Sequence, residues 1–392
     1  MKRLILSIVL SSVTIYTWGQ DLFTPILQQI EQNSLTLKAL QQQIKSEKLL
    51  NKTGLTPENP EVELGFLWSQ PSTPGMRKEV SISQTFDFPT AYLQRNKLST
   101  LQNNSLEHHY RTERMQLLLS AKKLCIELTF QNKLHRMYAR QLENAQKMAT
   151  AFETLLQKGE TNRLEYNKVQ LNYATIKNEL ERIDVERNAL LTELIVLNGG
   201  ISISWEYSDH LLPELPDNFE EWYTTAETQN PALQHLRSQV EVAQRQVKLS
   251  KAEGLPKLAV GYMGEFMNEE KFQGISVGIS IPLWQNKNRV KQARAAVVAS
   301  QRMVEDGRVQ YYQHLQGLYR QATHLKESVA LYTSALNEHN NEELLLKAFH
   351  KGELSLLEYL LEMEYYYEIF EKQASAERDL AQLVAELTAY AL

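Results

Sequence analysis

Nine histidines, one cysteine and an excess of carboxylates are the side chains of this 392-residue chain that could do chemistry. Their spacing argues against most of it. His108 and His109 are adjacent, so on a helix their rings point ~100° apart and do not readily share one ion. His314, His324, His339 and His350 have no His or Cys four residues on, and Cys125 is the sole thiol. No metal ligand set is expected. Cys125 lies deep in a helical pattern, where it reads as a small buried side chain rather than a lipid-attachment cysteine, and a single cysteine cannot build an internal disulfide framework. There is no nucleophile elbow, phosphate loop or paired-carboxylate cleft, so no catalytic residue and no cofactor are expected, and the chain does not read as an enzyme. A net charge of −5, spread along the chain, gives no case for nucleic acid. The run Tyr365-Tyr366-Tyr367 is better placed to pack between helices than to stack a ligand.

What does recur is a charged turn. Lys158-Gly159-Glu160 followed by Leu164-Glu165-Tyr166 returns as Lys351-Gly352-Glu353 followed by Leu357-Glu358-Tyr359, an offset of 351 − 158 = 193 residues. The same offset carries Phe88-Pro89 onto Ile281-Pro282, since 282 − 89 = 193. Two landmarks of different type keep one register, which marks an internal duplication. Gly159 and Gly352 stand where antiparallel helices must reverse, as helix-ending glycines with positive φ.

The elements that would carry these turns read alike in both halves: helix, two strands, a very long helix, a turn and a shorter helix. The first helix runs from about Pro25 to Leu50 on a Leu37, Leu40, Ile44 stripe, matched by Leu233, Leu236 and Val240. Hairpins follow at 61–88 and 257–282. Val62, Leu64, Phe66 and Trp68 alternate with Glu63, Gly65 and Leu67; Val80, Ile82, Phe86 and Phe88 alternate with Ser81, Ser83, Thr85 and Asp87. The second hairpin repeats this with Leu258, Val260, Tyr262 and Phe266, then Ile275, Val277, Ile279 and Ile281. Period two with Ser, Thr and Gly opposite the apolar set suits the lumen of a barrel. Trp68 and Trp284, near opposite ends of the strands, suit two membrane interfaces. The long helices, about Tyr92 to Gln157 and Gln285 to His350, could each span ~100 Å. Heptads at Leu315, Leu318, Ala322, Leu325, Val329, Tyr332 and Leu336, and at Leu142, Ala145, Ala149, Phe152 and Leu156, imply left-handed coiled-coil packing.

The organisation expected is a signal peptide over 1–19, a first repeat over 20–200 with its tip turn near 159, an equatorial connection over 201–229, and a second repeat over 230–392 with its tip near 352. Lys2 and Arg3 precede an apolar run from Leu4 to Val13, and Thr17-Trp18-Gly19 offers a cleavage site. Asn198-Gly199-Gly200 stops the first repeat, and the connection holds Trp205, Tyr207, Phe219, Trp222 and Tyr223, too aromatic for a disordered linker. Four strands with an apolar outer face leave edges that a bilayer does not tolerate. Membrane barrels have at least eight strands, so four per chain calls for oligomerisation, and three chains give twelve. The competing reading is a soluble periplasmic coiled-coil scaffold or adaptor, which accounts for the heptads but not for two duplicated hairpins with apolar faces.

Asn59-Pro60 with Val62 to Trp68, Gln84 through Phe88-Pro89, Asn230-Pro231, Leu255-Pro256, Gly274 through Ile281-Pro282-Leu283 and the two Lys-Gly-Glu turns together resemble the TolC-like outer-membrane efflux proteins, over essentially the whole mature chain. The strand Gly274 to Leu283 looks most like the branch serving heavy-metal resistance pumps. The resemblance implies a mainly α fold with a β-barrel part: a homotrimer whose 12-stranded outer-membrane β-barrel is continued by a long α-helical coiled-coil periplasmic barrel. It implies an exit duct that passes solutes from an inner-membrane RND-type pump through a periplasmic adaptor, with outer-membrane lipid as its surroundings; metal ions, drugs and polypeptide remain open as cargo. It assigns adaptor docking to the tips, with Lys158, Gly159, Glu160, Lys351, Gly352 and Glu353 as contacts. It also places Glu358, and its equivalent Glu165, at the aperture, where three carboxylates would repel one another and attract cations.

Overall fold

The computed structural model describes residues 22–68, 76–209, 214–267, 270–284, 286–339 and 341–392. The segment read as a signal peptide lies outside the described residues, as do Pro71, Pro74, Gly75 and Pro213. Nine helices and four strands make up the described chain: α1 (Thr24–Asn33), α2 (Leu35–Leu50), β1 (Glu61–Trp68), β2 (Met76–Phe86), α3 (Pro89–Lys158), α4 (Arg163–Leu197), α5 (Phe219–Gln229), α6 (Pro231–Ala252), β3 (Lys257–Met267), β4 (Glu270–Ser280), α7 (Arg289–Glu338), α8 (Glu342–His350) and α9 (Leu356–Leu387). The fold is mainly helical with one small sheet, and its two halves repeat the same order of hairpin, long helix, turn and shorter helix. No described helix is long and apolar enough to cross a membrane.

α3 is 70 residues long, about 105 Å at 1.5 Å per residue. Pro89 opens it at a position where the missing N–H costs nothing. It packs against α4, α6 and α9, while α7 packs against α6 and α9. The heptad positions Leu315, Leu318, Ala322 and Val329 are buried, as are Ala145, Ala149 and Phe152. Alanine at several of these positions lets helix axes approach closely. Tyr366 and Tyr367 are half-buried between helices, whereas Tyr365 is exposed.

Two breaks and one added helix depart from the sequence reading. The stretch Pro25 to Leu50 divides at Ser34, whose hydroxyl accepts from the Leu37 amide at 3.4 Å and starts α2 afresh. The second long helix stops at Glu338 and restarts at Glu342; Asn341 precedes two glutamates that complement the positive end of α8. The aromatic connection contains a helix, α5, capped by Asn218 and packed through Tyr223 and Ala226 against α7. Trp205 before it is buried, stacked 5.5 Å from Phe23 and donating to Thr129 Oγ1 at 2.9 Å. Gly199, at φ 68°, comes so close to α1 that a Cβ there would lie 2.6 Å from the Asn33 carbonyl oxygen.

The sheet runs β1-β2-β3-β4, all antiparallel. Its registers gather most of the apolar residues of the four strands on one face, with Leu67, Met263, Met267 and Phe272 on the other. Val62 pairs with Ile82, Ile82 with Tyr262, and Tyr262 with Ile275; two residues along, Leu64 pairs with Val80. The other face carries Ser81, Ser83, Thr85, Ala259, Gly261, Ser276 and Gly278. Among the described residues most of the apolar face is uncovered: Ile275 is 81% exposed and Leu64 62%. β1 and β4 are the two open edges.

Candidate functional site

The two turns singled out in the sequence lie at one end of the helices and are built alike. Gly159 (φ 76°) and Gly352 (φ 74°) both take the left-handed conformation after a helix. In each, the following glutamate amide reaches back five residues: Glu160 N–H donates to the Leu155 carbonyl at 2.9 Å, and Glu353 N–H to the Ala348 carbonyl at 2.9 Å. That satisfies carbonyls which a helix end otherwise leaves unpaired. Lys158, Glu160, Lys351 and Glu353 are all exposed around the glycines. The tips are brought together by a shared core in which Ala149, Phe152, Val169 and Leu356 are buried, with Phe349 stacked 4.9 Å from Tyr359.

Glu165 and Glu358 each occupy the third position of the helix that follows. Asn162 Oδ1 accepts the Glu165 amide at 2.9 Å, and Thr161 Oγ1 donates to Glu165 Oε2 at 2.7 Å. At the second tip the cap is reciprocal between Ser355 and Glu358. The Ser355 amide, then its hydroxyl, holds the exposed Glu358 carboxyl below the usual carboxylate range. In a single chain the cap thus opposes the upward shift that three converging carboxylates would produce. Sequence reasoning passed over this cap, although Ser355-Leu356-Leu357-Glu358 carries the S-x-x-E signature. It named Leu164 and Leu357 in the repeat but offered them no role; at equivalent positions beside the tips they are 73% and 48% exposed. Their exposure on the first turn of α4 and α9 adds an apolar element to each charged turn.

At the other end, where strands meet helices, a charged cluster joins the two halves. Asp87 pairs with Arg95 at 2.7 Å and with Lys257 at 3.1 Å; Arg95 also reaches Glu253 at 3.2 Å. Burial alone would raise the Asp87 carboxyl, but Lys257 and Arg95 together hold it below its ordinary value. These pairings were not read from the sequence: Arg95 to Glu253 (253 − 95 = 158) and Lys257 to Asp87 (257 − 87 = 170) are distant along the chain, and Arg95 meets Asp87, eight residues away (95 − 87 = 8), only through the turn from β2 into α3.

The polar face of the sheet is charged as well as small. Glu61, Glu63, Glu79, Glu265 and Glu270 share it with Arg77 and Lys257. Arg77 bridges Glu79 at 2.8 Å and Glu265 at 2.6 Å. Trp68 and Trp284, 79% and 80% exposed, stand at the hairpin end and the helix end of the sheet.

Cys125 is fully buried, and burial pushes its thiol up to about 12. His109 and His235 approach within 5.5 Å between ring centres. His235 is held by the Ser105 carbonyl, and burial lowers its pKa. Among the described residues no group of three or more His, Cys, Asp or Glu is arranged to hold a metal ion.

Comparison with known proteins adds a domain and a fold. Residues 222–360 match the family model of the outer membrane efflux protein. The structure is similar to the Campylobacter jejuni CmeC outer membrane channel, with a TM-score of 0.76 at 11% identity over 94% of this chain and 85% of that one. It is similar to CusC, whose crystal structures concern conformational changes accompanying folding and transmembrane channel formation, with a TM-score of 0.75 at 12% identity over 94% and 91%. It is also similar to the open state of the Neisseria gonorrhoeae MtrE outer membrane channel, with a TM-score of 0.73 at 11% identity over 94% and 88%. No curated protein sequence gives a significant match.

Proposed function

We infer, from a chain that carries an outer membrane efflux protein domain on the TolC-like fold, that it is the outer-membrane exit duct of a tripartite efflux system. The observation that carries this reading is the sheet. Four strands align one continuous apolar face and one polar face, and both edges are open. Unpaired edges cost several kcal/mol per group in lipid, so the sheet closes only against copies of itself. Three chains make a 12-stranded barrel, apolar side to the bilayer and polar side to the lumen. The helices continue it as a periplasmic tube, with the two repeats, 20–200 and 230–392, arranged around the axis and joined through 201–229. Export is by the leader at 1–19.

The tips at Gly159 and Gly352 then form the periplasmic end. Lys158, Glu160, Lys351 and Glu353 are the charged contacts for a periplasmic adaptor, with Leu164 and Leu357 as apolar ones, and an inner-membrane RND-type pump supplies the cargo. Glu358, with Glu165, lines the aperture there. The acidic excess on the inner face of the sheet, five glutamates against Arg77 and Lys257, favours cationic solutes, and heavy-metal cations fit that preference. The duct performs no reaction.

Electron microscopy of the protein extracted in detergent from the membrane fraction tests the reading. Three-fold tubes somewhat longer than the ~105 Å of α3 are expected. Monomers or dimeric rods that leave the membrane on a carbonate wash would instead favour a soluble coiled-coil scaffold.

A further inference from the structure

On the apolar face, one row differs from all the others. Phe66 on β1 pairs with Lys78 on β2, Lys78 with Phe266 on β3, and Phe266 with Lys271 on β4. Aromatic and cationic side chains therefore alternate across the whole sheet at one level. Both lysines are exposed, and among the described residues neither makes an ion pair or a side-chain hydrogen bond. The contrast with the opposite face is sharp: one residue away, Arg77 is bound by two glutamates.

The level of the row is set by the register. At the helix end of this face stand Phe86, Leu258 and Ile279, which pair in one line. From Phe86 to Lys78 is eight residues, about 27 Å along a strand at ~3.4 Å per residue. A strand tilt of ~40° shortens this to roughly 21 Å of membrane depth, close to the ~25 Å apolar band of outer-membrane barrels. The lysines thus stand where the band ends, on the side away from the helices. Between the two levels the face is apolar except for Gln84 and Gln273. Beyond them, among the described residues, Trp68 and Met76 follow on this face before the first hairpin's turn.

We propose that Lys78 and Lys271, with Phe66 and Phe266 between and beside them, bind the phosphate groups of a phosphorylated glycolipid in the outer leaflet. This rests on the outer-membrane reading above. An ammonium group at the edge of the hydrocarbon needs a counter-anion, and among the described residues of this face there is none. Lipid phosphates are the anions available at that depth, and a lysine stem can lie along apolar surface while its head reaches them. β2 and β4 are two strand spacings apart, so the ammonium groups start ~10 Å from each other, a span that suits two phosphates on one headgroup. Phe266 occupies the gap, and its ring lies back over Gly264, where a Cβ would meet Cε2 at 3.2 Å. The ring therefore covers the glycine and leaves the space between the lysines open to a ligand.

The test uses the full-length mature chain reconstituted in nanodiscs that contain bis-phosphorylated or dephosphorylated lipid A, with retained lipid counted per protein by native mass spectrometry. Wild type should retain the phosphorylated form preferentially. Each Lys→Gln substitution should cost about fivefold in that preference, the effect of one basic residue at an anionic surface. Lys78→Gln/Lys271→Gln should abolish it, and Lys78→Arg/Lys271→Arg should restore it. Equal retention of both lipids by wild type overturns the proposal while leaving the duct intact, even if the double variant fails to insert. Equal retention by an inserted double variant overturns it as well. A wild-type chain that never enters the nanodisc overturns the outer-membrane reading and this proposal with it.

Discussion

Ser355 and Glu358 cap α9 reciprocally: the Ser355 amide donates to Glu358 Oε2 at 2.9 Å, and the Glu358 amide donates to Ser355 Oγ at 3.2 Å. Of the two carboxylates proposed for the aperture, Glu358 is therefore also part of the turn that starts its helix. Charge and cap can be separated. Glu358→Gln keeps a side chain able to complete a capping box but removes the charge. It should raise single-channel conductance or lower cation selectivity in a planar bilayer, and cost the tip only the charge's share of the cap. Ser355→Ala should instead destabilise the tip by about 1 kcal/mol. Conductance and selectivity unaltered in Glu358→Gln would remove the residue from the aperture.

The same cap sets a pH dependence. Glu358 is more acidic in the folded chain than free, so its contribution to the tip is complete above the ordinary value of about 4.5 and is lost as pH falls through the lower folded value. Hydrogen exchange in the first turn of α9 should stay protected from neutral pH down to about 4.5 and weaken below it. Protection already lost near neutrality in the assembled protein would mean that repulsion among converging carboxylates outweighs the cap.

Three glycines make a ranked series. At Gly159 and Gly352 nothing lies within 4 Å of an added Cβ, so alanine there meets only the backbone penalty of a left-handed residue, about 1–2 kcal/mol. Asparagine should recover part of it. Gly199→Ala meets the same penalty plus the Asn33 carbonyl at 2.6 Å. Thermal unfolding should therefore place Gly199→Ala well below both tip variants. Equal midpoints would mean that α1 yields easily and is not fixed by that contact.

The features legible in sequence were those that local periodicity or a single residue type determines. Alternation in Val62 to Trp68 announced a two-faced strand, and Gly159 and Gly352 announced reversals, because only the local chain decides both. The break at Ser34 and the restart at Glu342 escaped because the apolar stripe runs through them and hides a short interruption. The cluster around Asp87 escaped for a different reason: Glu253 lies 253 − 87 = 166 residues away, and only the folded sheet brings them together. The Phe66-Lys78-Phe266-Lys271 row was equally invisible, since a shift of one residue in any hairpin would send its members to opposite faces.

That dependence on register gives the most direct test of which face meets lipid. Ile275 and Ser276 are neighbours on β4 with opposite faces, and Ile275 is four residues from both Ile279 and Lys271, so it stands midway across the apolar face. An arginine at the midplane of a barrel's lipid face costs about 2–4 kcal/mol, whereas one in the lumen stays hydrated. Ile275→Arg should therefore strip the protein from the outer-membrane fraction. Ser276→Arg should leave it membrane-bound and change only conduction, reducing cation preference by adding a positive charge among the inner-face glutamates. Fractionation and bilayer recordings read the two effects separately. If Ser276→Arg blocks insertion and Ile275→Arg does not, the polar face points to lipid and the barrel assignment is inverted.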